Sequence, residues 1–179
     1  MTMHHIAGIT ATAGQSNINF SSLPQNFTHL QVRISGRSAN SAGSFGSVYS
    51  GFNGEVFTGT SYTHHNFSGE GSSTAVLAQA SQGQLNIGGG FFPWSTILAN
   101  VQASLIIDIL DYSSTSKNKT IKYIMGWDAN GSGRAMFGSG MRMNTAAINE
   151  IYFSPDAGFT AGSRLDVYGI TNNPIAMGA

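Results

Sequence analysis

Apolar and polar residues alternate with a period of two along much of this chain, the mark of half-buried β-strands. In HLQVRIS, Leu30, Val32 and Ile34 fall on one face and His29, Gln31 and Arg33 on the other. VQASLIIDILDY places Val101, Ala103, Leu105, Ile107 and Ile109 on one face. Its second face carries Gln102, Ser104, Ile106, Asp108 and Leu110, which predicts a central strand partly covered on both sides. TIKYIMGW alternates Ile121, Tyr123, Met125 and Trp127 against Lys122, Ile124 and Gly126.

Turn chemistry separates these runs. Asn130-Gly131 in DANGSG and Asn53-Gly54 in FNGE can both take the positive φ angles of a type I′ turn. From Ile148 to Ile170, INEIYFSPDAGFTAGSRLDVYGI reads as a last hairpin. Pro155, Gly158 and Gly162 shape its turn, and Ile151, Phe153, Leu165 and Val167 point to the core. The chain yields about eight to ten short strands at the spacing of a sandwich or barrel. No segment keeps a 3.6-residue apolar period over three turns, and FPWSTILANV has room for one helical turn. The expected fold is all-β, a single antiparallel β-sandwich domain over residues 1–179, with 1–15 and 171–179 as extended arms.

Composition narrows the picture. At 179 residues the chain can bury roughly 70% of its unfolded surface. Charged residues are 9% against a typical ~25%, so Ser, Thr, Asn and Gly take the solvent-facing role. Net charge is zero, with eight basic and eight acidic residues, and there is no basic track for nucleic acid. KNKTIK, the densest basic stretch, reads as a solvated hairpin end. Near-zero charge gives little protection against association, which suits a protein whose working state is an assembly. There are no cysteines, hence no disulfide or thiolate chemistry. MTMHHIAGITATAGQS lacks the form of a signal peptide, so synthesis in a cytoplasm is expected. SLIIDIL is interrupted by Asp108 and too short to cross a bilayer, so no membrane partner is expected.

Candidate chemistry is sparse. His4-His5 and His64-His65 are adjacent pairs, and neighbours in a strand face opposite ways, so neither pair can readily chelate one metal ion. DANGSG resembles the start of a calcium loop, but Ser139 stands where the twelfth-position Glu is needed, so a hairpin turn is the better reading. The eight carboxylates are scattered over strands and turns, with Glu150, Arg164 and Asp166 placed to form a cross-strand ion pair in the last hairpin. No Gly-x-Ser-x-Gly elbow occurs. The expectation is therefore a non-enzymatic protein with no catalytic residues, metal or cofactor. A polysaccharide-degrading sandwich would need two carboxylates within about 10 Å in a cleft.

GGGFFPWST, from Gly88 to Thr96, leads three glycines into three aromatics. Such a loop either plugs the end of its own sandwich or presents Phe91, Phe92 and Trp94 to a partner. Met136, Met141 and Met143 could add a second adaptable apolar patch. The interface residues taken forward are Phe91, Phe92, Trp94, Met141 and Met143.

Two segments, INFSSLPQNFTHLQVRISGRS (Ile18 to Ser38) and AAINEIYFSPDAGFTAGSRLDVYGI (Ala146 to Ile170), resemble the two ends of small virion proteins of tailed bacteriophages. Those proteins commonly open with I-x-F-x-S-I-P-Q-x-[YF]-x-H-L and close with I-x-x-I-x-[LF]-x-P followed by G-S-x-x-x-[LV]-Y-G-I. The resemblance covers about a quarter of the chain and implies a jelly-roll β-sandwich, often trimeric, without catalytic residues. The function it implies is a capsid cement or decoration protein on the virion's outer capsid surface, bound to the major capsid protein as an oligomer. The alternative is a tail-fibre or spike module that recognises host surface carbohydrate.

Overall fold

A computed structural model describes residues 2–55, 57 and 59–171, and these contain fourteen β-strands and no helix. In chain order they are β1 (Thr2–Thr10), β2 (Ile18–Phe20), β3 (His29–Gly36), β4 (Phe45–Gly46), β5 (Val48–Phe52), β6 (Tyr62–Glu70) and β7 (Ser73–Gln82). There follow β8 (Leu85–Asn86), β9 (Phe92–Pro93), β10 (Ala103–Ile109), β11 (Lys119–Asp128), β12 (Gly133–Arg142), β13 (Ile151–Pro155) and β14 (Arg164–Thr171). An eight-stranded sheet runs β1-β14-β3-β10-β11-β12-β6-β7, a four-stranded sheet runs β2-β13-β5-β8, and β4 pairs with β9. Pairing between the named strands is antiparallel, as in the ladders joining β10 to β11 and β13 to β5.

The all-β sandwich expected from alternation is what forms. Leu30, Val32, Ile34, Leu105, Ile107 and Tyr123 of the large sheet belong to the same buried cluster as Ile18, Phe52, Ile151 and Phe153 of the small one. The two inner faces thus share one core. The turn joining β11 and β12 is the Asn-Gly turn anticipated: Asn130 has φ 60° and Gly131 φ 98°. The Asp128 carboxylate accepts a 2.8 Å bond from the Asn130 N–H, so it serves the turn.

Four expectations are corrected. The last two strands are not a hairpin. Strand β13 lies between β2 and β5 in the small sheet, whereas β14 lies between β1 and β3 in the large one. The segment 156–163 therefore crosses between layers, using positive φ at Ala157 (61°), Gly158 (83°) and Gly162 (86°). Alternation reports which face of a strand is buried and is silent on its neighbour.

Of the expected N-terminal arm 1–15, the described residues 2–15 are not free. Over Thr2–Thr10 they form the edge strand β1, paired with β14 from Thr2↔Thr171 to Thr10↔Arg164 with a register shift between His5 and Ala7. Asp166 accepts bonds from Arg164 (2.6 and 2.9 Å) and sits 2.9 Å from His5 Nε2, fastening the edge. Of the C-terminal arm, Thr171 ends β14 and the remainder, 172–179, lies outside the described residues.

Strand β10 is central, as expected, but its second face is not covered by another layer of the described chain: Ile106 is half-buried and Leu110 exposed. Finally, KNKTIK is not wholly solvated, because Lys119 is fully buried. Its ammonium donates to the carbonyls of Ser114 (2.6 Å), Lys117 (2.7 Å) and Thr145 (2.9 Å), so backbone oxygens replace the water it loses.

The segments Ile18–Ser38 and 147–170 interlock. Strand β2 pairs with β13 in the small sheet, and β3 pairs with β14 in the large one. Between them, Leu23 N–H bonds to the Asn149 carbonyl at 2.9 Å and Gln25 Nε2 to the Ile148 carbonyl at 3.0 Å. Each segment gives one strand to each layer, and the strands pair two by two.

Candidate functional surface

The aromatic loop folds inward. Phe92 is fully buried and meets Phe159 edge-on, with ring centroids 6.4 Å apart. Phe91 is half-buried; the Arg134 guanidinium lies 3.9 Å over its ring, and its carbonyl accepts a 2.8 Å bond from Trp127 Nε1. Trp94 is half-buried too, against Gly43 and Gly46, where a side chain of any size would strike its indole. Of the two readings of GGGFFPWST, the plug is the one realised for Phe92. Its interface assignment is withdrawn because no face of the ring remains accessible.

The methionines do not form a patch. Met136 is buried on the inner face of β12, Met141 is half-buried on the outer face, and Met143 is exposed beyond the strand. A strand sends residues 136 and 141, an odd number apart, to opposite faces.

Each of the eight carboxylates has a local partner. Glu55 holds Arg142, Glu70 pairs with Arg134, Asp111 binds Lys117, and Asp166 binds Arg164. Asp108 accepts from Gln31, Asp128 and Asp156 accept backbone N–H groups, and Glu150 accepts from Asn19. Glu150 stands in the small sheet's layer, so the ion pair expected with Arg164 across a hairpin does not form; Arg164 pairs with Asp166 on its own strand instead. Among the described residues, no group of three or more metal-ligating side chains converges.

What the sequence reading missed is the outer face of the large sheet. Ile106 is in register with Ile124, Ile124 with Phe137, Phe137 with Phe67, and Phe67 with Val76. Five apolar side chains from β10, β11, β12, β6 and β7 thus stand side by side in one row. Val76 is 83% exposed, Ile124 56%, Phe67 53% and Phe137 49%. Isolated exposed apolar residues are ordinary, but a contiguous row of this kind marks a contact surface. The adjoining row, also in register, is Ser104, Gly126, Ala135, Gly69 and Thr74. Beside the tall apolar ridge, these small residues leave a shallow trough of about 580 Å³. The same register continues to Arg33 on β3 and Asp166 on β14, so the surface changes from apolar to charged midway across the sheet.

A signal for this face exists in the sequence. NFSG, AMFGSG and STAVLAQA each carry one large apolar residue amid small ones at outward positions. It is weak, because three separated segments must be aligned before it becomes a patch.

The fold and surface define an antiparallel all-β sandwich with one uncovered apolar sheet face. Comparison with protein-family models, with curated proteins and with solved structures finds no match to this chain.

Proposed function

We propose that this chain is a non-enzymatic structural protein of a tailed-bacteriophage virion. Within that class we assign it as a cement or decoration protein that binds the major capsid protein on the outer shell as an oligomer. The observation that carries the reading is the interlock of the two segments that resemble phage virion proteins. Strand β2 pairs with β13 and β3 with β14, so the resembling residues form one continuous scaffold spanning both layers of the sandwich. The strands between them carry the exposed apolar row. The uncovered apolar face supports the same reading, since such a face belongs to a protein that works in an assembly.

A decoration protein stabilises a shell by linkage, binding the assembled lattice and not free subunits. Many copies at modest individual affinity suffice, because contacts made together multiply. The test is cosedimentation of the purified chain with expanded shells that lack it, followed by thermal rupture of those shells. Saturable binding at a fixed ratio per capsomer, with rupture delayed, is expected. Absence of shell binding with retention on host cells or their polysaccharide would overturn the capsid assignment in favour of a tail-tip receptor-binding module.

A further inference from the structure

We propose that copies of this chain associate with one another through the apolar outer face of β10, β11, β12, β6 and β7. The inference rests on the oligomeric part of the proposed function and names the surface that makes the oligomer.

Three features point to a second copy as the occupant. The first is shape. The ridge of Ile124, Phe137, Phe67 and Val76 runs alongside the trough over Gly126, Ala135 and Gly69, one residue pair further along the strands. A surface that carries a ridge and a matching trough is complementary to itself, and a two-fold contact seats each ridge in the other trough. Small residues in the trough let the partner's side chains approach the backbone closely.

The second is charge. Asp108 and Lys122 project from this five-strand face at facing register positions, so their opposite charges cancel in the face's net charge, and Asp128 lies at the end of its strand. Two identical surfaces of this kind do not repel, whereas a strongly acidic or basic partner would find little to recognise. The charged half of the sheet begins abruptly at Arg33 and Asp166, which sets the boundary of the contact.

The third is size. Five strands at ~4.8 Å, of seven to ten residues at ~3.4 Å, give a face on the order of 750 Å². That is close to the roughly 800 Å² per partner of a standard stable interface. The rim agrees: β7 is an edge strand of ten residues, STAVLAQASQ, without Lys, Pro or any charge to keep another chain away. The opposite edge, β1, is guarded by the His5, Arg164 and Asp166 cluster.

Sedimentation velocity at micromolar concentration tests this with the full chain. The unmodified protein is expected to sediment as an oligomer. Phe137→Ser and Val76→Lys are expected to weaken association about tenfold or more. Both side chains are exposed, so the variants keep the fold, which far-UV circular dichroism and melting temperature verify. Leu98→Ser, exposed but off this face, is expected to assemble as the unmodified chain does. A monomeric unmodified protein, or face variants that assemble normally, would overturn the inference. Shell cosedimentation run in parallel separates the two claims. An oligomer lost in the face variants but unable to bind shells counts against the virion reading and leaves the interface standing. A monomer whose shell binding is abolished by Phe137→Ser would place the capsid on this face and overturn self-association.

Discussion

Lys119 and Arg142 stand directly opposite each other on β11 and β12, and both side chains are fully buried. Two neighbouring cations persist there because each has its own cage. Arg142 makes a two-pronged contact with Glu55, Nε to Oε2 at 2.9 Å and a terminal nitrogen to Oε1 at 2.5 Å, and donates to the Ala146 carbonyl at 2.9 Å. Tyr62 donates to the same carboxylate at 2.6 Å. Lys119 has its three carbonyls. Together these bonds tie β12, the turn after β5 and the segments 114–117 and 144–146 into one closed end of the sandwich.

Glu55→Gln is expected to destabilise the protein by about 3 kcal/mol, because it leaves the Arg142 charge buried without its counter-charge. Chemical denaturation measures the loss. An unchanged midpoint would show that Arg142 is neutralised by something other than Glu55.

Lys119→Met is expected to cost less, about 1–2 kcal/mol. It leaves three carbonyls short of a donor but also removes the repulsion on Arg142, which acts in the opposite direction. The local signature is faster proteolytic nicking within 113–118 than in the unmodified chain.

Stability is expected to fall in two stages on acidification. His64 is buried on the inner face of β6, and burial holds its imidazole below the ordinary value of 6.5. Below pH 6.5 the unfolded chain takes up a proton at this position that the folded chain resists, so stability drops first there. Burial would push the Glu55 carboxyl up, but hydrogen bonds from Arg142 and Tyr62, with the Arg142 charge, outweigh it and hold the group below 4.5. The stability Glu55 contributes is full above pH 4.5 and is lost as pH falls further. Asp111 and Asp166, held down by Lys117 and Arg164, lose pairing in the same acid range, with smaller effect because Lys117 and Arg164 are exposed and solvent screens both pairs. In melting temperature against pH, His64→Gln is expected to remove the first drop and keep the second.

Gly138→Ala is expected to destabilise by about 1–3 kcal/mol, as overpacking does. A methyl group there would sit in the Tyr123 ring, which lies flat against the bare backbone of β12. Gly69→Ala meets nothing within 4 Å and is expected to leave monomer stability within about 0.5 kcal/mol. Equal effects at the two positions would contradict the close approach of Tyr123.

Legibility followed the range of the interaction. The inward faces of β3, β10, β11, β13 and β14 were readable from alternation, and Leu30, Val32, Ile34, Leu105 and Ile107 are buried as their spacing requires. The Asn130-Gly131 turn was readable because its conformation depends on two adjacent residues. Phe92 and Met136 were not: a Phe after three glycines and a Met in a small-residue strand look alike whether they face a core or a partner. Lys119 was misread because its ammonium is held by the carbonyls of Ser114 and Lys117 in the turn before it and of Thr145 on a distant segment, a cage that composition does not reveal.

By itself the amino-acid sequence determined that this chain is all-β, where β3, β10, β11, β13 and β14 and the Asn130-Gly131 turn lie, and which side of those strands turns inward. Those are local properties, carried by period-two alternation and by residues that tolerate positive φ. Only the tertiary structure decided that β13 and β14 part into different sheets, that β1 is an edge strand, and that Ile106, Ile124, Phe137, Phe67 and Val76 line up in one exposed row. Strand pairing joins residues far apart in the chain, and the pattern within a single strand does not specify its neighbour or its register.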